Sequence, residues 1–554
     1  MTTIRRLYFY VVAFAALMVT TFGVITLLSA VLDLPFHSIV VAGDPTTEIA
    51  LALAMLIIGG PVWLLHWFFA ERSAARNADD RRAIPRHLYL NLVLGAAFVN
   101  LVFSAQAVLD WLLGTRRPYD PVIPNIAMLL AWSVVWAYHW WTLRREGEEA
   151  TPRTLHRWYL YGATAFSLGW LVVGVYGVLT TLLQQIYDAL FAHVLTSAPL
   201  WSDALRGSLA WIVVGGIGWV FHWLYAARGD TASVLRQVYL YLVAVLEGLA
   251  AVLIVAGILI YRVLQYAFDP SAFTAGGHFS FLPEILPAGL VGLLVGLYHW
   301  RVLQREAAGA IAGGRTVRRA YRYLTTAFGL GALSGGLGVL LALLIGLVTG
   351  PANLTARWWR DPLSLAFALL LVGGPLWAYQ WFRAEAEARG GDPDERRALP
   401  RRLLVYGALT LAILGLLGNL VYVLFRLLEA LLQSRWSLGL FFEMRGNIAV
   451  VVVAAAVLAY YGLVLRSDLR HGAETARRRK TVLLWVGPAH QNLLPSLRTA
   501  LPGSRVQVVE GLSDAPPVVD VGQAAEGLAH LADLPGERAL VVVSNGHVQV
   551  YPYR

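Results

Sequence analysis

Twelve times along the chain an apolar run recurs that is long enough to cross a hydrocarbon layer, which takes about 20 helical residues. The runs cover roughly residues 7–34, 49–71, 88–113, 124–143, 158–190, 206–227, 238–268, 285–303, 321–350, 362–382, 403–432 and 446–466. Inside a bilayer a segment must satisfy its own backbone hydrogen bonds, so runs of this length form helices. Composition agrees: 58% of the 554 residues are hydrophobic, 14% are charged, and mean hydropathy is +0.60. That places the chain among polytopic membrane proteins. The first run follows Arg5 and Arg6 and exceeds a signal-peptide core, so it reads as a retained helix.

Basic residues sort by position. Arg5/Arg6, Arg86, Arg157, Arg236, Arg318/Arg319 and Arg401/Arg402 precede the odd runs. Arg72, Arg144/Arg145, Arg228, Arg301/Arg305, Arg383 and Arg466/Arg470 follow the even ones. The opposite loops are poorer in arginine, with Arg116, Arg117, Arg357 and Arg360 as exceptions. By the positive-inside rule both termini are expected in the cytoplasm, with the chain in a bacterial inner membrane as six helical hairpins. The net charge of +10 then reflects topology and anionic lipid contact rather than nucleic acid. The chain has no cysteine, which excludes disulfides, iron–sulfur clusters and thiolate chemistry.

The hairpins repeat in pairs. "GGPVWLLHWFF" from Gly59, "GGIGWVFHWLY" from Gly215 and "GGPLWAYQWFR" from Gly373 align His66, His222 and Gln380. "WAYHW" at Trp136 and "GLYHW" at Gly296 align His139 and His299 with Tyr461. The linkers "RRAIPR" (Arg81 to Arg86) and "RRALPR" (Arg396 to Arg401) match as well. A period of about 155–160 residues divides the chain into four-helix units at 1–150, 151–314 and 315–476. Same-orientation copies imply duplication about an axis along the membrane normal.

Residues 477–554 differ in composition. The basic run Arg477–Lys480 is expected among anionic headgroups. "TVLLWVG", "RVQVVEG" and "ALVVVSNGHVQVYPY" read as strands, the last a hairpin turning at Asn545-Gly546. "HQNLLPSLRTAL" and "VGQAAEGLAHLADL" read as helices between them. The expected fold class is therefore an all-α polytopic membrane protein of twelve transmembrane helices with a small C-terminal soluble α/β domain.

"YFYVVAFAALMVTTFGVITLL" followed by "IALALAMLIIGGPVWLLHW" resembles a four-helix bacterial membrane domain of unknown function, common in Chloroflexi. Three copies of that family cover most of residues 1–476. The resemblance implies fold and membrane location. It carries no activity and assigns no catalytic residue.

Each repeated histidine lies within about two turns of the arginines that end its helix. At the same level the odd helices open with tyrosines: Tyr8, Tyr89, Tyr159, Tyr239 and Tyr321. Antiparallel neighbours would bring hydroxyl and imidazole together, flanked by interfacial tryptophan, as a clamp that sets helix height. Axial ligation of haem or another tetrapyrrole by His66, His139, His222 and His299 is the alternative, with proton or pH sensing a third. Gln380 and Tyr461 replace histidine in the third copy, which suits a hydrogen-bonding position better than a metal ligand.

Glu247, three turns into the seventh run, is the one deep acid and a candidate ion or proton site, or a protonated group bonded to a neighbouring helix. Asn100, Gln106 and Asn419 are expected to bond between helices. In the tail, "VGPAH" lacks the residues of a phosphate loop, and His490, His530 and His547 lack zinc-site spacing. Asp514 and Asp520 read as solvated loop residues. No catalytic, metal or resident cofactor site is expected. The expected role is non-enzymatic: a scaffold that self-associates or joins a larger membrane complex, with a partner-binding tail. A transporter or channel with a pathway near Glu247, and a haem or pigment carrier, are the alternatives.

Overall fold

The computed structural model describes residues 3–33, 45–115, 122–146, 150–192, 199–306, 312–350, 357–390, 394–478, 481–486, 505–510, 538–544 and 547–553. Twelve helices are long and apolar enough to cross a membrane. They are α1 (Thr3–Asp33), α2 (Thr46–Arg76), α3 (Ala78–Leu112), α4 (Val122–Arg145), α5 (Arg153–Phe191) and α6 (Asp203–Ala226). They continue as α7 (Val234–Phe268), α8 (Leu282–Glu306), α9 (Gly313–Thr349), α10 (Arg360–Gly390), α11 (Leu399–Leu432) and α12 (Leu438–His471). The protein is a polytopic helical membrane protein.

Local chemistry sets where helices begin. Pro85 and Pro400, from the matching linkers, occupy the first turn of the main segments of α3 and α11, where a missing N–H costs nothing. Ser202 caps α6 by accepting from the Leu205 N–H, and Ser233 caps α7 by accepting from Arg236 N–H. α2 and α10 run through Pro61 and Pro375 without a break. Among the described residues three segments have wider π-helical turns, Asp188–Ala192, Val220–Ala226 and Tyr239–Val245, and the last two contain His222 and Tyr239.

Within each Gly-Gly pair the first glycine is the close-approach point. A methyl group at Gly59 would sit 2.9 Å from Thr20 Oγ1, and one at Gly373 2.6 Å from the Leu333 N. At Gly215 it would overlap the Leu171 backbone. The second glycine of each pair is open: nothing lies within 4 Å at Gly60, and only a leucine methyl 3.9 Å away at Gly216 and Gly374.

The chain divides into two compact units, residues 1–336 with 355–376, and residues 337–354 with 377–554. In the first, α1 packs on α2, α3 on α4, α5 on α6 and α7 on α8. In the second, α11 packs on α12, and four strands form a sheet: β1 (Thr481–Val486), β2 (Arg505–Glu510), β3 (Arg538–Ser544) and β4 (His547–Tyr553). The strand order is β2-β1-β3-β4, with β1 parallel to β2 and β3 and β4 antiparallel to β3. The four strands fall within the segments read from sequence as strands. The two helices expected between them, with His490, Asp514, Asp520, His530 and the Asn545-Gly546 turn, lie outside the described residues. The last helix continues past the α12 span to Arg478, so Arg477 and Arg478 of the basic run lie in its final turn, and Arg479 and Lys480 lie outside the described residues.

Candidate functional site

The tyrosine–histidine pairs expected from sequence meet in four hairpins. The Tyr89, Tyr159 and Tyr239 hydroxyls lie 3.2, 3.0 and 3.0 Å from Nε2 of His139, His222 and His299. The three histidines are each 1% exposed, so these bonds are fully inside the helix packing. Tyr8 and His66 form a looser pair at 3.4 Å, and Tyr8 is exposed.

The tautomer follows from the second nitrogen. Each histidine Nδ1 lies 2.7–2.8 Å from the carbonyl four residues back, at Val62, Val135, Gly218 and Val295. A carbonyl only accepts, so Nδ1 carries the proton, Nε2 is the acceptor and the tyrosine hydroxyl donates to it. Both nitrogens of each imidazole are thereby engaged in the neutral form.

The tyrosine oxygen takes a further bond. Trp63 Nε1 donates to Tyr89, Trp136 to Tyr159 and Trp219 to Tyr239, at 3.3, 2.9 and 3.2 Å. Each relay thus ties three consecutive helices: tryptophan from one, tyrosine from the next, histidine from the third. The sequence reading placed these tryptophans in an interfacial belt and missed their role as donors. A second set, Trp67, Trp223 and Trp381, donates to Tyr138, Tyr298 and Tyr460 at 2.6, 3.0 and 2.6 Å.

The third copy rearranges the relay. Leu404 stands where Tyr89 and Tyr239 stand, three residues after the helix-opening arginine, and Tyr461 stands where the histidine does. Trp377 Nε1 donates to the Tyr461 hydroxyl at 3.0 Å. The acceptor has moved from α11 to α12, so Tyr461 supplies the missing tyrosine's hydroxyl rather than an imidazole's function. Tyr321 and Gln380 are both buried, Tyr321 against Tyr241 at a ring separation of 5.5 Å.

Beneath the relays lies a feature read from sequence only as topology. Arg86, Arg236 and Arg401, at the heads of α3, α7 and α11, are 1%, 6% and 1% exposed. Arg86 Nε donates to Glu146 at 2.7 Å, and its Nη2 to Glu71 at 2.5 Å. Arg236 pairs with Glu306 at 2.7 Å and donates to the Ala227 carbonyl at 3.0 Å. Arg401 pairs with Asp468 at 2.7 Å and Glu385 at 2.6 Å. Each guanidinium also covers the second tryptophan, Trp67, Trp223 or Trp381, with its carbon 5.3, 4.3 or 5.2 Å from the ring centroid. Burial pushes the Glu146 carboxyl above the ordinary glutamate range, and the Arg86 charge pulls it back only in part. A parallel set ties the first hairpins, Arg6 to Asp80 at 2.6 Å and Arg157 to Asp230 at 2.5 Å. The signal was in the spacing: acids recur 60, 70 and 67 residues after the three arginines.

Other expectations change. Glu247 is exposed and, among the described residues, has no hydrogen-bonding or ion-pairing partner, so the bond to a neighbouring helix is not formed. Asn100 bonds within its own helix, to the Ala96 carbonyl. Asn419 does bridge helices, accepting from Asn447 at 2.8 Å. Two of the four exceptional arginines, Arg357 and Arg360, both pair with Asp269, and Arg116 and Arg117 lie outside the described residues. Among the described residues no group of three or more His, Asp or Glu has a metal-holding arrangement.

The repeated hairpins and their shared relay define a class, the polytopic membrane proteins built from tandem copies of one helical domain. The chain belongs to the family of the domain of unknown function DUF5671, matched three times, at residues 6–120, 157–287 and 319–460. Comparison with the curated proteins and with the solved structures finds no match.

Proposed function

We propose that this is a non-enzymatic structural protein of the bacterial cytoplasmic membrane, with both termini in the cytoplasm. In this reading three four-helix units, 1–150, 151–314 and 315–476, form a rigid scaffold that associates with itself or with a larger membrane complex. Residues 477–554 form a small cytoplasmic α/β module that binds a partner, and Arg477–Lys480 lie among anionic headgroups.

One observation carries the reading: both ring nitrogens of His139, His222 and His299 are spent on bonds to helix neighbours. A haem iron would need one of those lone pairs, at the cost of an orphaned buried hydroxyl. A transport pathway draws polar groups from several helices, whereas the exposed Glu247 has no hydrogen-bonding or ion-pairing partner among the described residues. The test pairs His222→Gln with His222→Leu in purified protein and records an absorption spectrum. The scaffold reading expects a colourless protein in which His222→Gln melts closer to wild type than His222→Leu. A Soret band lost in both variants would overturn it.

A further inference from the structure

Consecutive copies are joined by one kind of contact, between the third helix of one copy and the second helix of the next. From the first copy to the second, α3 packs on α6, and Phe98 and Val102 share a buried cluster with Val214. The Phe98 ring lies 4.5 Å from that of His222. From the second copy to the third, α7 meets α10. Val372, the counterpart of Val214, has its Cγ2 3.8 Å from where a methyl group at Gly257 would sit. Gln265 of α7 donates to Asp361 of α10 at 2.7 Å. One surface of the repeated domain therefore fits another, and the fit recurs.

Each end of the series keeps one of these two surfaces. On α2 the counterpart of Val214 is Ile58, which is 67% exposed against 8% for Val214. Ala54 is exposed as well, although its counterparts Ala210 and Ala368 are buried. On α11 the counterparts of Phe98 and Val102 are Ile413 and Leu417, both exposed, Leu417 by 54% against 3% for Val102. Apolar exposure alone argues nothing in a bilayer, because lipid covers it without penalty. What marks these faces is that protein fills the same positions at both internal junctions. Each also carries a small residue suited to close helix approach: Ala54 on α2, and on α11 the exposed Gly418, where an added methyl would meet nothing within 4 Å among the described residues.

We propose that the α2 face of one chain receives the α11 face of a second copy of this chain, head to tail, by the contact that α3 makes with α6. The proposal rests on the self-association in the scaffold reading and names its surfaces. Two different surfaces meet, so the contact is heterologous and extends into a ring or a row of chains.

The chain has no cysteine, so introduced thiols report alone. Full-length Ile58→Cys and Leu417→Cys proteins are mixed in vesicles at high lipid excess and linked with a short bismaleimide. Val134→Cys, exposed on α4, replaces Leu417→Cys in the control mixture. The expected result is a linked pair from the first mixture and only background from the control. Adding Ala54→Trp to the Ile58→Cys chain should cut the yield about 10-fold, by overpacking the contact, without lowering that chain's own melting temperature. A chain carrying both cysteines should link into dimers and larger species. Equal yields from the two mixtures would overturn the assigned surfaces, even where the protein associates through another face. Links confined to single chains in the double variant would overturn the second copy as occupant. Linking of Ile58→Cys to itself as efficiently as to Leu417→Cys would overturn the head-to-tail order. The scaffold reading fails separately, on a Soret band.

Discussion

The third copy offers a compensated exchange that can be run backwards. Tyr461→His should deprive Trp377 of its hydroxyl acceptor at a position 1% exposed. An orphaned buried donor costs about 1–3 kcal/mol. Leu404→Tyr alone places a ring at a position 8% exposed while Tyr461 still holds its own, and overpacking of that kind costs about 1–3 kcal/mol. The double variant rebuilds the tyrosine–histidine arrangement of the earlier copies, giving Trp377 an acceptor on α11 and the new hydroxyl an imidazole on α12. Its melting temperature should therefore recover toward wild type, with a favourable coupling of about 1–3 kcal/mol between the two changes. Thermal unfolding of the four proteins in one detergent, followed by intrinsic tryptophan fluorescence, reads the cycle. Costs that add within about 0.5 kcal/mol would show that the two positions do not share one hydrogen bond, and would refute the relay as the reason for the exchange.

Neighbouring glycines should differ sharply. Gly215→Ala is expected to cost about 1–3 kcal/mol because the methyl meets the Leu171 backbone, while Gly216→Ala, facing open space, should be neutral or stabilising in the same melting assay. Arg86→Gln should cost about 3–5 kcal/mol, because it removes the buried guanidinium that Glu146 and Glu71 share, whereas Arg301→Gln, exposed at the end of α8, should change melting little. Asp269 is held below the ordinary aspartate range: desolvation raises it, but hydrogen bonds from Ser271 and Arg360 and the Arg357 and Arg360 charges together outweigh that. Its stabilisation is present above the unfolded value of about 3.9 and is lost as pH falls through the lower folded value, so the melting difference between wild type and Asp269→Asn should hold from pH 7 to about 5 and vanish on further acidification.

The twelve helices were legible because length and hydropathy alone decide what a bilayer admits. The tyrosine–histidine pairs were legible because odd helices open, and even helices close, at one level. The tryptophan donors were not: an indole at an interface looks the same in sequence whether its N–H meets water or a phenol. Nor were the arginine pairs, since Arg86 and Glu146 are separated by a whole hairpin and each looks like an ordinary terminal charge. Comparing the copies position by position would have exposed both the recurring acids and the Leu404–Tyr461 exchange. His66 is the weakest member: its partner Tyr8 is exposed and the pair is 3.4 Å apart.

The account stands on neutral imidazoles whose two nitrogens both serve the helix packing. Nitrogen-15 magnetic resonance of histidine-labelled protein at neutral pH measures that state, with His139, His222 and His299 assigned by single glutamine variants. The expected spectrum has each of the three protonated at Nδ1, with Nε2 as a hydrogen-bonded acceptor. Protonation at Nε2, or an Nε2 resonance shifted by metal coordination, would contradict it.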